Sequence, residues 1–161
     1  MPDRAVSHWP GGWLGLGATL VVALVRDQYA LLAHLGDSRI YFMRDEQMEP
    51  LTRDHSRVEE FVGLGKLTRE EADQLRDNGG PTRFIGMTDK AVAEARLIEL
   101  RAGDRLLLCS DGLTAMLDDM TIARNLSAHP NPTIACRALV DAANAAGGED
   151  NITVLIIDCV A

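Results

Sequence analysis

At 161 residues the chain fits one domain, large enough to bury roughly 70% of the surface its unfolded form exposes. Its 47% hydrophobic and 25% charged residues are ordinary for a soluble globular protein. A net charge of −8 argues against nucleic acid or an anionic membrane surface as a partner.

Residues 1–16 open with MPDRAVSHWPGG, rich in proline and glycine, and read as irregular. The apolar stretch from Trp13 to Val25 is broken by Gly15 and Gly17 and is too short to span a bilayer. Arg26-Asp27 follows where a signal peptide would need small residues, so a cytoplasmic location is expected. Ala18 to Val25 predicts a buried strand, and Tyr29, Leu31, Ala33 and Leu35 alternate as a second. Past a Gly36-Asp37 turn, Ile40 to Met43 continues an antiparallel meander. Ser56 with Glu59, then Thr68 with Glu71, match capping boxes; the second predicts a helix over Arg69–Arg76, ended by NGGPT at 78–82. Ala93 to Leu100 and Arg105 to Cys109 read as strands joined by an Ala102-Gly103-Asp104 turn, and Gly112 as the turn that lets the second stop. Thr121–Ala128 and Thr133–Ala146 read as helices, the latter stopped by Gly147-Gly148, and Ile152–Ile157 as a last strand. Strands, then helices, then a strand predict an α+β layered domain. Cys109, Cys136 and Cys159 are odd in number and show no C-x-x-C spacing. They are expected to be small core residues of a reducing compartment, not a disulfide framework or a zinc site.

Three aspartates border strong strands. Asp37 follows the Tyr29–Leu35 strand, Asp111 follows Arg105–Cys109, and Asp150 precedes Ile152–Ile157. In an antiparallel sheet the end of one strand lies beside the start of the next, so two acids after strands and one before can share an edge. Clustered carboxylates repel unless a cation neutralises them, and an all-oxygen set suits Mg²⁺ or Mn²⁺. Singly, each of these Gly-Asp, Asp-Gly and Asp-Asn pairs is also an ordinary turn signal.

Four segments taken in order, AHLGDSRIYFMRD (33–45), LTRDHS (51–56), GDRLLLCSDGLTAML (103–117) and GGEDNITVLIID (147–158), resemble successive motifs of the metal-dependent serine/threonine protein phosphatases of type 2C. The resemblance implies a two-sheet antiparallel β-sandwich flanked by helices, occupying residues 17–161. It implies hydrolysis of phosphoserine and phosphothreonine by a metal-activated water, with Mn²⁺ or Mg²⁺ as cofactor. Asp111 and Asp150 match acidic ligands of the core metal site. Asp37, with Asp111, matches the pair that binds a third metal in bacterial members. Ser38, Arg39, Gly112 and Asn151 fall in the same motifs as supporting residues, and residues 55–82 match the family's flap. The implied partners are phosphoproteins, with a serine/threonine kinase pathway as their source.

The family's N-terminal Glu-Asp and D-G-x-G-G-H motifs do not occur in this sequence. The chain therefore reads as a type 2C domain lacking its N-terminal third, with impaired turnover, retained Mn²⁺ binding, and a dimer or a complementing chain covering exposed edges. The alternative is a non-catalytic phosphatase-like binding or regulatory module. His34 and His55 read as hydrogen-bonded structural histidines before general acids. Arg39 reads as a partner that orients an aspartate. Ser110 lacks a G-x-S-x-G context and is not read as a nucleophile.

Overall fold

The computed structural model describes residues 17–73, 75, 80–87 and 91–160. The irregular segment expected over 1–16 lies outside the described residues. In chain order the elements are β1 (Leu20–Arg26), β2 (Tyr29–Leu35), β3 (Arg39–Arg44), β4 (Gln47–Pro50), α1 (Arg57–Gly63), α2 (Arg69–Asp73), β5 (Glu94–Glu99), β6 (Arg105–Cys109), α3 (Asp111–Thr114), α4 (Asp119–Ala128), α5 (Pro132–Ala145) and β7 (Val154–Asp158).

Two antiparallel sheets form, ordered β1-β2-β5 and β4-β3-β6-β7. The inner faces meet through Ala30 and Leu32 from β2, Ile40 from β3, and Leu106 and Leu108 from β6. The alternate positions of the larger sheet, Tyr41, Met43, Leu107 and Cys109, pack against Leu113, Ile122, Leu126 and Leu139 of α3, α4 and α5. This double covering explains why Leu106–Cys109 of β6 reads as an unbroken apolar run: all five residues of the strand are buried, as in strands covered on both faces. Each fully buried leucine there contributes roughly 1.5–3 kcal/mol. Cys109 is buried, and its thiol is pushed up to about 12 by desolvation. All three cysteines are unbridged.

Charged side chains pin the start of β6. The guanidinium of Arg105 donates to both carboxylate oxygens of Asp158 and to the carbonyls of Leu126, His129 and Pro130. It thereby satisfies orphan carbonyls where α4 ends. Arg44 grips the buried carboxylate of Asp104 with two bonds of 2.7 Å.

Several boundaries differ from the sequence reading. The strand β4 was not expected: its hairpin turn uses Asp45 and Glu46 at φ 50° and 62°, with no Gly or Asn to signal it. The helix α4 starts earlier than expected, because Asp118 caps it by accepting from the Thr121 amide at 2.7 Å. The turn expected at Gly112 is instead a short helix, α3, with Gly112 inside it. The described part of the helix expected over Arg69–Arg76 is Arg69–Asp73, and positions 74 and 76–79 lie outside the described residues. The strand expected to be buried over Ala18 to Val25 is covered on one face only: on the outer face of β1-β2-β5, Leu20, Val22, Leu24, Leu31 and Leu97 are exposed.

Candidate active site

Strand register brings the three acid-bearing turns together. Across the larger sheet Arg39 pairs with Cys109, and Cys109 with Val154. Asp37 lies just before that row on β3, Asp111 just after it on β6, and the loop of Asp150 leads into it on β7. The three turns therefore meet at one edge. A cleft of about 930 Å³ opens there, lined by Asp37, Asp111 and Glu149 and walled by Val58, Arg69 and Ala72 of the α1–α2 segment.

The Asp111 and Asp150 turns are clasped to each other. The Ser110 hydroxyl donates to the Asn151 carbonyl at 2.9 Å and accepts from the Thr153 amide at 2.9 Å. The Ser110 amide donates to the Thr153 carbonyl at 3.1 Å. Gly112 lies so close that an added Cβ would sit 2.9 Å from the Asn151 carbonyl carbon and nearer still to its oxygen. Glycine is required there for clearance, not for a left-handed turn. One Asp111 carboxylate oxygen accepts from the Gly112 amide at 3.0 Å, and one of Asp150 from the Asn151 amide at 2.7 Å. Asn151 thus acts through its main chain.

Asp37 stands on a different support. Gly36 before it has φ 115° and would meet Thr19 if it carried a Cβ. Buried Ser38 after it shares a 2.8 Å hydrogen bond with the Thr19 hydroxyl. Burial and the charge of Asp111 push the Asp37 carboxyl above the usual range, with Asp54 adding to this and Arg39 opposing it. A carboxyl raised in the folded state holds its proton more tightly than the unfolded chain does. Its contribution to stability is therefore full at low pH and is lost as pH rises from 3.8 through the raised folded value. Asp37→Asn is accordingly expected to raise the melting temperature of the metal-free chain near neutral pH by about 1–3 °C. Calorimetric melts at pH 7 check this, and a lower midpoint would contradict it.

Arg39 orients an aspartate, but that aspartate is Asp54. Two bonds of 2.8 and 2.7 Å join them, a bidentate geometry that fixes both side chains. Arg39 also donates to the Tyr41 hydroxyl at 3.1 Å, which donates to Asp119 at 2.8 Å. Sequence reasoning quoted LTRDHS without giving Asp54 a partner, and it missed Tyr41, Asp119 and the Ser110 clasp. An acid in a motif beside a lone arginine was the available signal for the first. The others depend on contacts between distant segments.

The α1–α2 segment forms one wall of the cleft. Ser56 caps α1 by accepting from the Glu59 amide at 3.2 Å, while the Glu59 side chain pairs with Arg69 of α2 instead of completing its box. Thr68 and Glu71 form the full reciprocal box.

Residues 14–145 match the protein phosphatase 2C family. The chain belongs to that family. Among relatives of this phosphatase 2C chain, the protein phosphatase PhpP of Streptococcus pneumoniae serotype 2 (strain D39 / NCTC 7466) is 41% identical over 143 residues, covering 89% of this chain and 58% of PhpP. The serine/threonine phosphatase Stp of Listeria innocua serovar 6a is 34% identical over 144 residues, covering 89% and 57%. The crystal structure of the Mycobacterium tuberculosis phosphatase PstP/Ppp superimposes with a TM-score of 0.85 at 34% identity, covering 90% of this chain and 61% of that one. The catalytic domain of PstP in complex with two manganese ions gives 0.79 at 35% identity, covering 90% and 60%. The chain thus spans under two thirds of each of these relatives. Its two antiparallel sheets with flanking helices are the architecture the family resemblance implies. No helix among the described residues is long and apolar enough to cross a membrane.

Proposed function

We propose that this chain supplies the metal-binding edge of a protein-serine/threonine phosphatase, with Asp111 and Asp150 holding a core ion and Asp37 with Asp111 a further one. The observation that carries this reading is the β3-β6-β7 register, which sets three acid-bearing turns side by side at a cleft. The donor set fits a hard cation such as Mn²⁺ or Mg²⁺: it is all carboxylate oxygen, and the Asp37–Asp111 repulsion is the strain a cation would relieve. Bound ions would supply an acidified water and would neutralise charge developing at phosphorus. The chain's own residues hold the geometry. Ser110 keeps the Asp111 and Asp150 turns together, Thr19 holds Ser38 beside Asp37, and α1 and α2 wall the cleft from solvent.

This sequence contains no D-G-x-G-G-H, so the chain by itself is expected to bind Mn²⁺ while turning over phosphate esters poorly. Titration calorimetry with Mn²⁺ and a p-nitrophenyl phosphate assay on the same preparation test both parts. Binding with little hydrolysis is the expected result. Family-typical rates would refute the impairment, and absent Mn²⁺ binding would refute the site. Binding with no hydrolysis even under saturating Mn²⁺ favours the alternative, a non-catalytic binding or regulatory module.

The finer partners follow from the same chemistry. Phosphoserine and phosphothreonine substrates require a serine/threonine kinase upstream, and a cytoplasmic setting suits three unbridged cysteines. The exposed apolar face of β1-β2-β5 suits a dimer or a complementing chain, which light scattering distinguishes from a bare monomer.

A further inference from the structure

A second cluster of titratable side chains lies where the α1–α2 segment leaves and rejoins the sandwich. His34 of β2 and His55 are 5% and 3% exposed, and their rings lie tilted by 33° with centroids 4.6 Å apart. Four bonds converge on residue 55. Its amide donates to the Gly36 carbonyl at 2.9 Å, and its ring Nδ1 accepts from the Gly36 amide at 3.1 Å. Its carbonyl accepts from the Thr82 amide at 2.7 Å, and its ring Nε2 lies 3.2 Å from Glu94 Oε1 at the start of β5. Arg83, the residue after Thr82, donates to the same Glu94 oxygen at 3.1 Å. Both ends of the segment are therefore tied to each other and to one carboxylate.

The hydrogen bonds assign the tautomers. A backbone amide only donates, so Nδ1 of His55 is the acceptor and Nε2 carries the proton given to Glu94. A carbonyl only accepts, so His34 donates from Nε2 to the Arg53 carbonyl at 2.9 Å. Ligand atoms of His34, His55 and Glu94 fall within 4.8 Å of one another, a spacing open to a divalent ion. His55 nevertheless has no lone pair to give, and the Arg83 guanidinium stands 3.3 Å from its Nε2. The cluster is a hydrogen-bonded latch. Burial, then Arg83 and His34, hold the His55 imidazole below its ordinary range against the pull of Glu94, which keeps the ring neutral and Nδ1 free to accept.

We propose that His55 is a positioning residue that fastens the base of the α1–α2 segment both to β5 and to the turn carrying Asp37. Gly36 precedes Asp37 directly, sits at φ 115° against Thr19, and bonds residue 55 twice. A shift of His55 must therefore move Gly36, and Asp37 with it. The metal half of this statement rests on the reading of Asp37 as a metal ligand; the latch half does not.

Three variants separate the two arms. Glu94→Ala removes the shared acceptor at an exposed position and leaves the Gly36 bonds. Amide exchange in α1 should quicken about tenfold, with β3 and β6 unchanged and Mn²⁺ affinity within about twofold of the parent. His55→Ala should show the same quickening together with an Mn²⁺ affinity about fivefold weaker. His55→Asn, whose Oδ1 can take the place of Nδ1 but cannot reach Glu94, should restore Mn²⁺ affinity while α1 stays fast. Unchanged α1 exchange in Glu94→Ala overturns the latch even if the buried His55→Ala fails to fold. Equal Mn²⁺ loss in His55→Asn and His55→Ala overturns the link to Asp37. If the parent chain binds no Mn²⁺, the metal-site reading fails, and the exchange of Glu94→Ala still decides the latch.

Discussion

Gly112→Ala is expected to cost about 2–3 kcal/mol of stability and to weaken Mn²⁺ binding at the same time. The added methyl would meet the Asn151 carbonyl oxygen and carbon and approach the Asp150 carbonyl carbon at 3.4 Å. All three are backbone atoms, so no side chain can rotate out of the way. The clash lies between two turns that Ser110 ties together with hydrogen bonds of 2.9 Å on either side of its hydroxyl. Relief means parting the Asp111 and Asp150 turns, which separates the carboxylates proposed to share an ion. Denaturant melts and an Mn²⁺ titration on one preparation measure both effects. Gly63→Ala is the control: nothing lies within 4 Å of its would-be Cβ at the end of α1, and alanine is the better helix former. A Gly112→Ala protein as stable as the Gly63→Ala protein would show that the turns are not packed as described.

Asp111→Asn should leave the fold intact and lower Mn²⁺ affinity by about 100-fold or more, since even residues that only support metal ligands cost about 10–100-fold when lost. The amide oxygen can still accept from the Gly112 amide, the 3.0 Å bond at the start of α3. Asp111 is exposed, so no buried partner is orphaned. What disappears is the charge that adds to burial in raising the Asp37 carboxyl, and with it the attraction for a cation at both proposed sites. Calorimetry reads the affinity, and a thermal melt confirms that the metal-free variant is no less stable. Unchanged Mn²⁺ binding would remove Asp111 from the site.

Asp111 and Gly112 are neighbours in the chain, yet local sequence marks only the first. The acid in S-D-G was legible because its residue type, its place after an apolar strand and its motif context all point to a ligand. The role of Gly112 was not: Asp-Gly is an ordinary turn pair, and only the approach of Asn151, far along the chain, shows why a side chain is forbidden. For Arg39, an aspartate partner followed from its chemistry, but that this is Asp54 became visible only where β3 and the segment after β4 lie side by side. His55 shows the same limit. Its ring chemistry is evident from the residue, but its engagement with Gly36, Glu94 and Arg83 depends on three separate segments.

By itself the sequence determined the local elements: the strand β2 (though not its buried face, which is Ala30, Leu32 and His34 where the alternation pointed to Tyr29, Leu31 and Ala33), the apolar run of β6, the caps of α1 and α2, the stop after α5, and the acids beside the strands. These follow from side-chain periodicity and turn chemistry, which act over a few residues. It left β4 and α3 unseen, because neither the Asp45-Glu46 turn nor a helix of one turn carries a distinctive local pattern. Only the tertiary structure decided that the Asp37, Asp111 and Asp150 turns share an edge, that Asp54 belongs to Arg39, and that His55 joins the cleft's wall to its floor. Each of those depends on register between strands and on the placement of the α1–α2 segment, and non-local pairing of that kind is set by the packing of the whole core.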